Sequence, residues 1–379
     1  MRYAERRERL RATAAERGLD AVLVTELRNV RYLTGFTGSN GALLLRADPS
    51  PASPDVFGTD GRYTTQAASQ VPDVELLVDR GTVPALAREA VRPRSDGRGA
   101  GRIGYESHHL TVDGLRALES VLGDAAAGGP VPELTSVRRA VEELRAVKDD
   151  DEVDALRRAC AVADAALAEL AAEGALRPGR TELQVGRELD ARMLALGAEA
   201  PSFETIVAAG ANSAIPHHRP DPTELRAGDL LKLDFGATVD GYHSDMTRTV
   251  VLGGTGGVVA AWQREIYELV AAAQATGRAA LAVGADVVAV DSAARDVIAQ
   301  AGYAEHFLHG LGHGVGLEIH EAPGIGQLGA GRLAAGMAVT VEPGVYLPGH
   351  GGVRIEDTLI VTDDEPELLT LTSKELLVL

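Results

Sequence analysis

The chain has 379 residues, of which 45% are hydrophobic, and a formal net charge of −18. This length predicts two domains, because domains usually contain about 100 to 200 residues, and the apolar runs are shorter than the roughly 20 residues of a membrane-spanning helix. The negative charge and the scattered arginines argue against a nucleic-acid partner, and nothing indicates a membrane partner.

The first 20 residues carry basic side chains without a continuous apolar segment behind them. This pattern predicts a charged amphipathic helix and no signal peptide. Cys160 is the only cysteine, so no internal disulfide can form, which fits a reducing compartment. We therefore expect a cytoplasmic protein.

Short β-rich runs alternate with helical stretches over the first 135 residues. The runs cover residues 21–25, 42–45, 74–78 and 102–105. This alternation predicts an α/β domain over residues 1–135, and we assign residues 136–150 to a linker.

Residues 151–379 combine helical and strand-like patterns. Acids at 149–152 predict the start of a long helix, and Thr181 with Gln184 forms a capping-box pattern that opens the next one. Two further helices are predicted at 258–281 and 291–301, with strands from Asp229 onward and again from Met337. This region is predicted to be an α+β domain with an antiparallel sheet.

The dipeptide Asp240-Gly241 between two strand-like runs predicts a two-residue hairpin turn. If Val239 pairs with Tyr242, then Asp234 and Asp245 lie on one face as diagonal neighbours, within reach of a shared cation. Residues facing the core on the other side would be Leu231, Leu233 and Phe235. From this hairpin alone, two unrelated solvent-facing acids remain an equal alternative.

Further downstream, His313, Glu342 and Glu356 lie in glycine-rich or strand-like segments. Together with the two aspartates they form an oxygen-rich, nitrogen-poor set that suits divalent ions such as manganese better than thiolate-binding metals. Four carboxylates balance the charge of two divalent ions, and a metal pair lowers the pKa of bound water.

The segments LDFGA, SDMTRT, GHGVG, VEPG and RIED follow one another in this order. In order and spacing they resemble the pita-bread metallopeptidases, in the branch of Xaa-Pro aminopeptidases and prolidases, and the first domain resembles the creatinase N-terminal domain. The resemblance implies that Asp234 binds one metal ion, that His313 and Glu342 bind the second, and that Asp245 and Glu356 bridge the two. From the chemistry of these ligands we expect two manganese ions, with cobalt or zinc as alternatives.

The same resemblance implies four catalytic side chains. His217, His320 and Arg354 match further active-site positions of the family, and Glu342 would also move protons. Two other histidines, His218 and His243, match no role and are interpreted as structural or exposed.

The expected function is hydrolysis of the Xaa-Pro bond at the N-terminus of proline-containing peptides, by an Xaa-Pro aminopeptidase that forms a homodimer. Strict dipeptidase (prolidase) activity is the alternative, disfavoured because the loop at 322–336 has only Arg332 to bind a free carboxylate. A non-catalytic pita-bread binding module is a more remote alternative. The segment 310–316 lacks the glycine spacing of a dinucleotide-binding loop, and Pro323 is incompatible with a zinc-protease helix starting at His320.

Overall fold

The computed structural model describes residues 2–51, 53–92, 99–126, 129–253 and 259–379. By its internal contacts the chain divides into two compact units, residues 1–145 and 146–379. The predicted linker at 136–150 contains a short helix, Ala140–Ala146, and its assignment as a linker stays a prediction. Within the described residues, no helix combines the length and the apolar character needed to cross a membrane.

The first unit contains a six-stranded mixed sheet in the order β4-β3-β2-β1-β5-β6. The strands are β1 (Ala21–Val24), β2 (Gly41–Arg46), β3 (Val56–Thr59), β4 (Glu75–Val78), β5 (Arg102–Tyr105) and β6 (Glu133–Ser136). The helices are α1 (Tyr3–Glu16), α2 (Leu27–Thr34), α3 (Thr64–Gln70), α4 (Thr82–Ala90), α5 (Val112–Ala125) and α6 (Ala140–Ala146). Leu86 of α4 and Leu118 of α5 share a buried core with Leu23 of β1, which confirms the predicted α/β class.

Four strands of this unit were predicted from sequence to within one residue at each end, namely β1, β2, β4 and β5. Strands β3 and β6 were not predicted. Strand β6 contains one apolar residue, Leu134, and the sequence of β3 closely follows the proline- and serine-rich stretch 49–54, so neither forms a clear strand-like run.

The second unit is an α+β domain whose strand pairs, within the described residues, run antiparallel in every sheet, as predicted. Its helices are α7 (Asp150–Ala172), α8 (Glu182–Ala195), α9 (Ala261–Ala279) and α10 (Val287–Gln300). Its strands are β7 (Ala200–Pro201), β8 (Ile206–Ala209), β9 (Leu230–Phe235), β10 (Ala237–Val239), β11 (Tyr242–His243), β12 (Met246–Val251), β13 (Gly312–Gly314), β14 (Glu321–Ile325), β15 (Ala338–Val341), β16 (Gly344–Leu347), β17 (Gly351–Arg354), β18 (Asp357–Ile360) and β19 (Glu367–Leu368).

Two helices of this unit begin with capping boxes, at the helix start predicted from the acids at 149–152 and at the capping box predicted for Thr181 and Gln184. The Asp149 carboxylate accepts from the Glu152 backbone N–H at 3.0 Å, and the Glu152 carboxylate accepts from the Asp149 N–H at 3.1 Å. Thr181 and Gln184 exchange the equivalent pair of bonds at the start of α8. Because both donors at each helix start are satisfied, the local sequence alone fixes these two boundaries.

Helix α10 begins earlier than the sequence predicted. Its N-cap is Asp286, whose carboxylate accepts from the Val288 N–H, so the predicted start at Asp291 is wrong. Asp291 is instead buried inside the helix, where it pairs with Arg295 at 2.8 Å and accepts from the Leu311 N–H. Helix α9 was predicted from residue 258, which lies outside the described residues, to 281.

Candidate active site

The hairpin from β9 to β12 has the turn that its sequence predicts. Asp240 and Gly241 have φ angles of 50° and 75°, the left-handed values that a two-residue turn of this kind requires. Val239 pairs with Tyr242, which confirms the predicted register.

This register brings Asp234 and Asp245 to one face of the hairpin. Asp234 pairs with Thr247, so the same count places Asp245 opposite Gly236. A Cβ atom on Gly236 would lie 1.8 Å from the Ser244 carbonyl oxygen, so only glycine allows the strands to approach there. The residues predicted to face the other way do lie in a buried core, namely Leu231, Leu233 and Phe235.

The remaining predicted ligands come from a neighbouring part of the same unit. His313 lies in the middle of β13, Glu342 follows β15 directly, and Glu356 lies between β17 and β18. All five predicted ligands line one cavity of about 450 Å³, together with the three other predicted site residues, His217, His320 and Arg354.

The imidazole of His313 faces two carboxylates. Its Nε2 atom lies 3.5 Å from an oxygen of Asp245 and 3.3 Å from an oxygen of Glu342. Its Nδ1 atom lies 3.0 Å from the Gly314 carbonyl oxygen. Because a carbonyl oxygen accepts hydrogen bonds and cannot donate them, Nδ1 carries a hydrogen. This arrangement leaves Nε2 as the ring atom available to a cation.

Arg354 anchors the opposite side of the cluster. Its guanidinium donates to the Asp234 carboxylate, to the Tyr346 hydroxyl at 2.7 Å and to the Thr247 hydroxyl at 3.0 Å. Thr247 in turn donates to Glu356 at 2.6 Å. These bonds orient the Asp234 and Glu356 side chains from behind the cavity.

The cluster has more buried negative charge than its own cations neutralise. Burial raises the pKa of Asp245 well above its usual value, and the nearby Asp234 charge raises it further. Burial and the Asp245 charge do the same to the pKa of Glu356. Burial opposes ionisation of Glu342, but its hydrogen bond with His313 and the charges of His313, His309 and Arg354 together lower its pKa to about 2. For Asp245 and Glu356, the nearby positive charges thus do not offset burial and the neighbouring carboxylates.

These residues fit a divalent metal ion. One ligand atom each from Asp245, His313 and Glu356 lie within 4.8 Å of one another. The second oxygen of Asp234, Oδ1, is buried and has no hydrogen-bond partner, although Oδ2 accepts from Arg354. A cation at this position would supply both the missing charge and the missing partner.

The cavity also contains histidines outside the predicted ligand set. The His320 ring packs edge-on against His313 with 4.4 Å between ring centroids, and His217 is exposed on the cavity wall. Burial lowers the pKa of His320, and the charge on His313 lowers it further. His309 was not predicted from sequence, yet it lines the cavity and its Nε2 lies 2.8 Å from the Tyr346 hydroxyl oxygen. His309 lies four residues before His313 in a strand-like segment, and this even spacing could have indicated that both side chains lie on one face.

The two histidines interpreted as structural or exposed have partners. His218 is buried at the edge of the cavity, with its Nε2 2.7 Å from the Glu182 carboxylate. Glu182 also accepts from the Ala209 and Asp221 backbone N–H groups, so His218 belongs to a buried hydrogen-bond network. His243 lies 3.4 Å from the Thr238 hydroxyl through its Nδ1 atom, and its backbone N–H donates to Gly316.

Comparison with protein families matches residues 154–363 to metallopeptidase family M24 and residues 6–147 to the creatinase/prolidase N-terminal domain. The chain belongs to metallopeptidase family M24. The four carboxylates and one histidine of the proposed ligand set therefore lie in the metallopeptidase domain, which follows a creatinase-type domain in the chain, as the sequence resemblance implied.

Relatives of this M24 peptidase cover its whole length. An uncharacterized peptidase of Bacillus subtilis is 38% identical over 98% of the chain and 99% of its own length. The structure of an Xaa-Pro dipeptidase from Bacillus anthracis matches with a TM-score of 0.90 and 37% identity over 100% of both chains. That of an X-Pro aminopeptidase from Thermotoga maritima matches with a TM-score of 0.84 and 30% identity over 96% of this chain and 98% of the other. Both activities therefore occur among similar proteins.

Proposed function

We propose that this M24 peptidase is an Xaa-Pro aminopeptidase, which removes the first residue from peptides whose second residue is proline. Two divalent ions are the proposed cofactor, manganese first, with cobalt or zinc as alternatives. Asp234 would bind one ion, His313 and Glu342 the other, and Asp245 and Glu356 would bridge them. A bound pair of divalent ions lowers the pKa of water and polarises a carbonyl group.

The chain's own side chains would move the protons. The Xaa-Pro bond is a tertiary amide, so its nitrogen has no hydrogen and must gain a proton before it can leave. The Glu342 carboxylate faces the cavity beside His313 and is the proposed carrier of that proton. His217 and His320 on the cavity wall would donate hydrogen bonds to the substrate carbonyl oxygen as negative charge develops on it.

We choose aminopeptidase over dipeptidase because each arginine that lines the cavity is already paired or exposed. A dipeptidase must bind the carboxylate that follows proline, and a buried bidentate arginine does this best. Among the described residues that line the cavity, the guanidinium groups belong to Arg219 and Arg354. Arg354 is already bonded to Asp234, Thr247 and Tyr346, whereas Arg219 is exposed and pairs with Glu204 at 3.0 Å.

Arg332, the only basic residue of the loop at 322–336, is also engaged. It donates to the Gly284 carbonyl oxygen at 2.7 Å and does not line the cavity. A substrate that continues beyond proline would therefore leave no buried arginine unpaired. Dipeptidase activity stays the second candidate, supported by the similarity to the Bacillus anthracis enzyme.

The test is hydrolysis of Ala-Pro and Ala-Pro-Ala at equal metal loading, with manganese, cobalt and zinc compared. We expect kcat/KM for the tripeptide to equal or exceed that for the dipeptide. A preference of about tenfold or more for the dipeptide, equivalent to about 1.4 kcal/mol in the transition state, would favour prolidase instead. No hydrolysis of either peptide with any metal would contradict the proposed reaction.

We further propose that the protein is cytoplasmic and forms a homodimer. Sedimentation at micromolar concentration should give twice the mass of the chain. A monomer at that concentration would contradict the dimer.

A further inference from the structure

A second cavity, of about 460 Å³, adjoins the first. Three residues line both cavities: His309, Gly310 and Gly312. The other residues of the second cavity come mainly from the segments at 307–308 and 324–329. The space beside the proposed metal ligands therefore adjoins the second cavity at these three residues.

The walls of the second cavity combine apolar side chains and glycines with the polar residues His309 and Gln327. Phe307 and Ile325 are buried, whereas 64% of Leu308 is exposed and Leu328 is fully exposed. Arg295 is the charged residue among the described lining residues, and it is already engaged. Its guanidinium bonds to Asp291 and donates to the carbonyl oxygens of residues 307 and 309.

Gly324 keeps the passage between the cavities open. It pairs with His313 across β13 and β14, and directly opposed residues of an antiparallel pair project from the same face of a sheet. A side chain at position 324 would therefore project on the same side as the His313 imidazole. A Cβ atom built on Gly324 has no heavy atom within 4 Å, so the space is free because the residue is glycine.

We infer that the second cavity binds the residues that follow proline in the substrate, and that Leu308 and Leu328 select an apolar residue directly after proline. This inference rests on the proposed aminopeptidase function. An aminopeptidase substrate has one residue before the cleaved bond and a continuing chain after it, so an adjoining cavity of this volume suits the residues on the proline side. Exposed leucines in a cavity whose lining includes the cation Arg295 and no described acid favour an apolar side chain over a lysine there.

The experiment compares kcat/KM for Ala-Pro-Leu-Ala and Ala-Pro-Lys-Ala in the wild type and in the variants Leu308→Asp and Leu328→Asp. The control is Val112→Asp, which places the same charge on a side chain of similar exposure, 65%, at the start of α5. We expect the wild type and the control to prefer the leucine peptide. In at least one of the two leucine variants, the ratio should shift toward the lysine peptide by tenfold or more, because the new carboxylate attracts the ammonium group.

A second variant tests whether the open space beside Gly324 is needed for longer substrates. Gly324→Leu should lower kcat/KM for both tetrapeptides at least tenfold relative to Ala-Pro, because the added side chain fills the connecting space.

If both tetrapeptides are cleaved but their ratio stays within twofold of the wild-type ratio in both leucine variants, this inference is wrong and the proposed function stands. The inference is also wrong if Gly324→Leu has the same kcat/KM for the tetrapeptides, relative to Ala-Pro, as the wild type. Cleavage of Ala-Pro alone by the wild type would contradict the proposed function and this inference together.

Discussion

Glu356 and Asp357 are neighbours in the chain, yet they lie in opposite electrostatic surroundings. Glu356 faces the cavity among other carboxylates, and burial together with the Asp245 charge raises its pKa well above the usual value. Burial would also raise the pKa of Asp357, but the charges of Arg248 and Lys374 outweigh burial and lower it. The two acids are equally buried, so their partners decide the difference.

The partners of Asp357 form a complete network. It accepts hydrogen bonds from Arg248 at 2.8 Å, Gln274 at 2.8 Å and Thr370 at 3.0 Å, and pairs with Lys374 at 2.9 Å. A buried carboxylate of this kind needs no additional cation and contributes to the fold. A buried carboxylate surrounded by others, like Glu356, marks a site that an external cation completes.

The largest effect is expected for Glu356→Gln. This change keeps the size of the side chain but removes one charge from a proposed bridging ligand, so turnover should fall by about 10³-fold or more, or roughly 4 kcal/mol in the transition state. The thermal unfolding midpoint should fall little, since one of several repelling charges is removed. Asp245→Asn should behave in the same way. Two tightly bound ions per chain with near-normal activity in either variant would show that the bridging assignment is wrong.

The variant His320→Ala tests whether His320 binds metal or only contacts the substrate. We expect kcat to fall by about 10² to 10³, as for loss of a single oxyanion donor, with metal content unchanged. Elemental analysis of the purified variant beside its kinetics provides the test. Metal loss in proportion to activity would instead make His320 a ligand.

Asp357→Asn should have the reverse outcome to Glu356→Gln. Removing one charge of a buried pair leaves Arg248 uncompensated, which costs about 3 kcal/mol and lowers the unfolding midpoint by roughly 6 to 12 °C. Metal content and kcat of the folded protein should stay close to wild type. If activity fell as far as in Glu356→Gln while the unfolding midpoint stayed unchanged, the assignment of Asp357 to the fold and of Glu356 to the metal site would be wrong.

The sequence predicts the parts of the site that local rules govern. The turn residues Asp240 and Gly241 set the hairpin register, so the shared face of Asp234 and Asp245 followed from a count of residues. The helix start at Asp149 followed from its run of acids, and the start at Thr181 from its capping-box pattern.

The rest depends on contacts between residues far apart in the chain. Apart from the family resemblance of the RIED segment, nothing local separates Glu356 from Asp357, because the partners of Asp357 lie 13 to 109 residues away. The start of α10 was misplaced because Asp291 is a buried partner of Arg295 and not a cap. The second cavity is formed by segments whose proximity only the folded structure reveals.

The most direct test of a metal-dependent Xaa-Pro peptidase is to strip the wild-type protein with a chelator, restore manganese stepwise, and follow bound metal and Ala-Pro-Ala hydrolysis together. We predict that activity disappears on chelation and returns as two ions bind per chain, and that Glu356→Gln regains neither full metal content nor activity. Full hydrolysis by metal-free protein would contradict the account, and so would a Glu356→Gln variant that binds two ions and cleaves the peptide like the wild type.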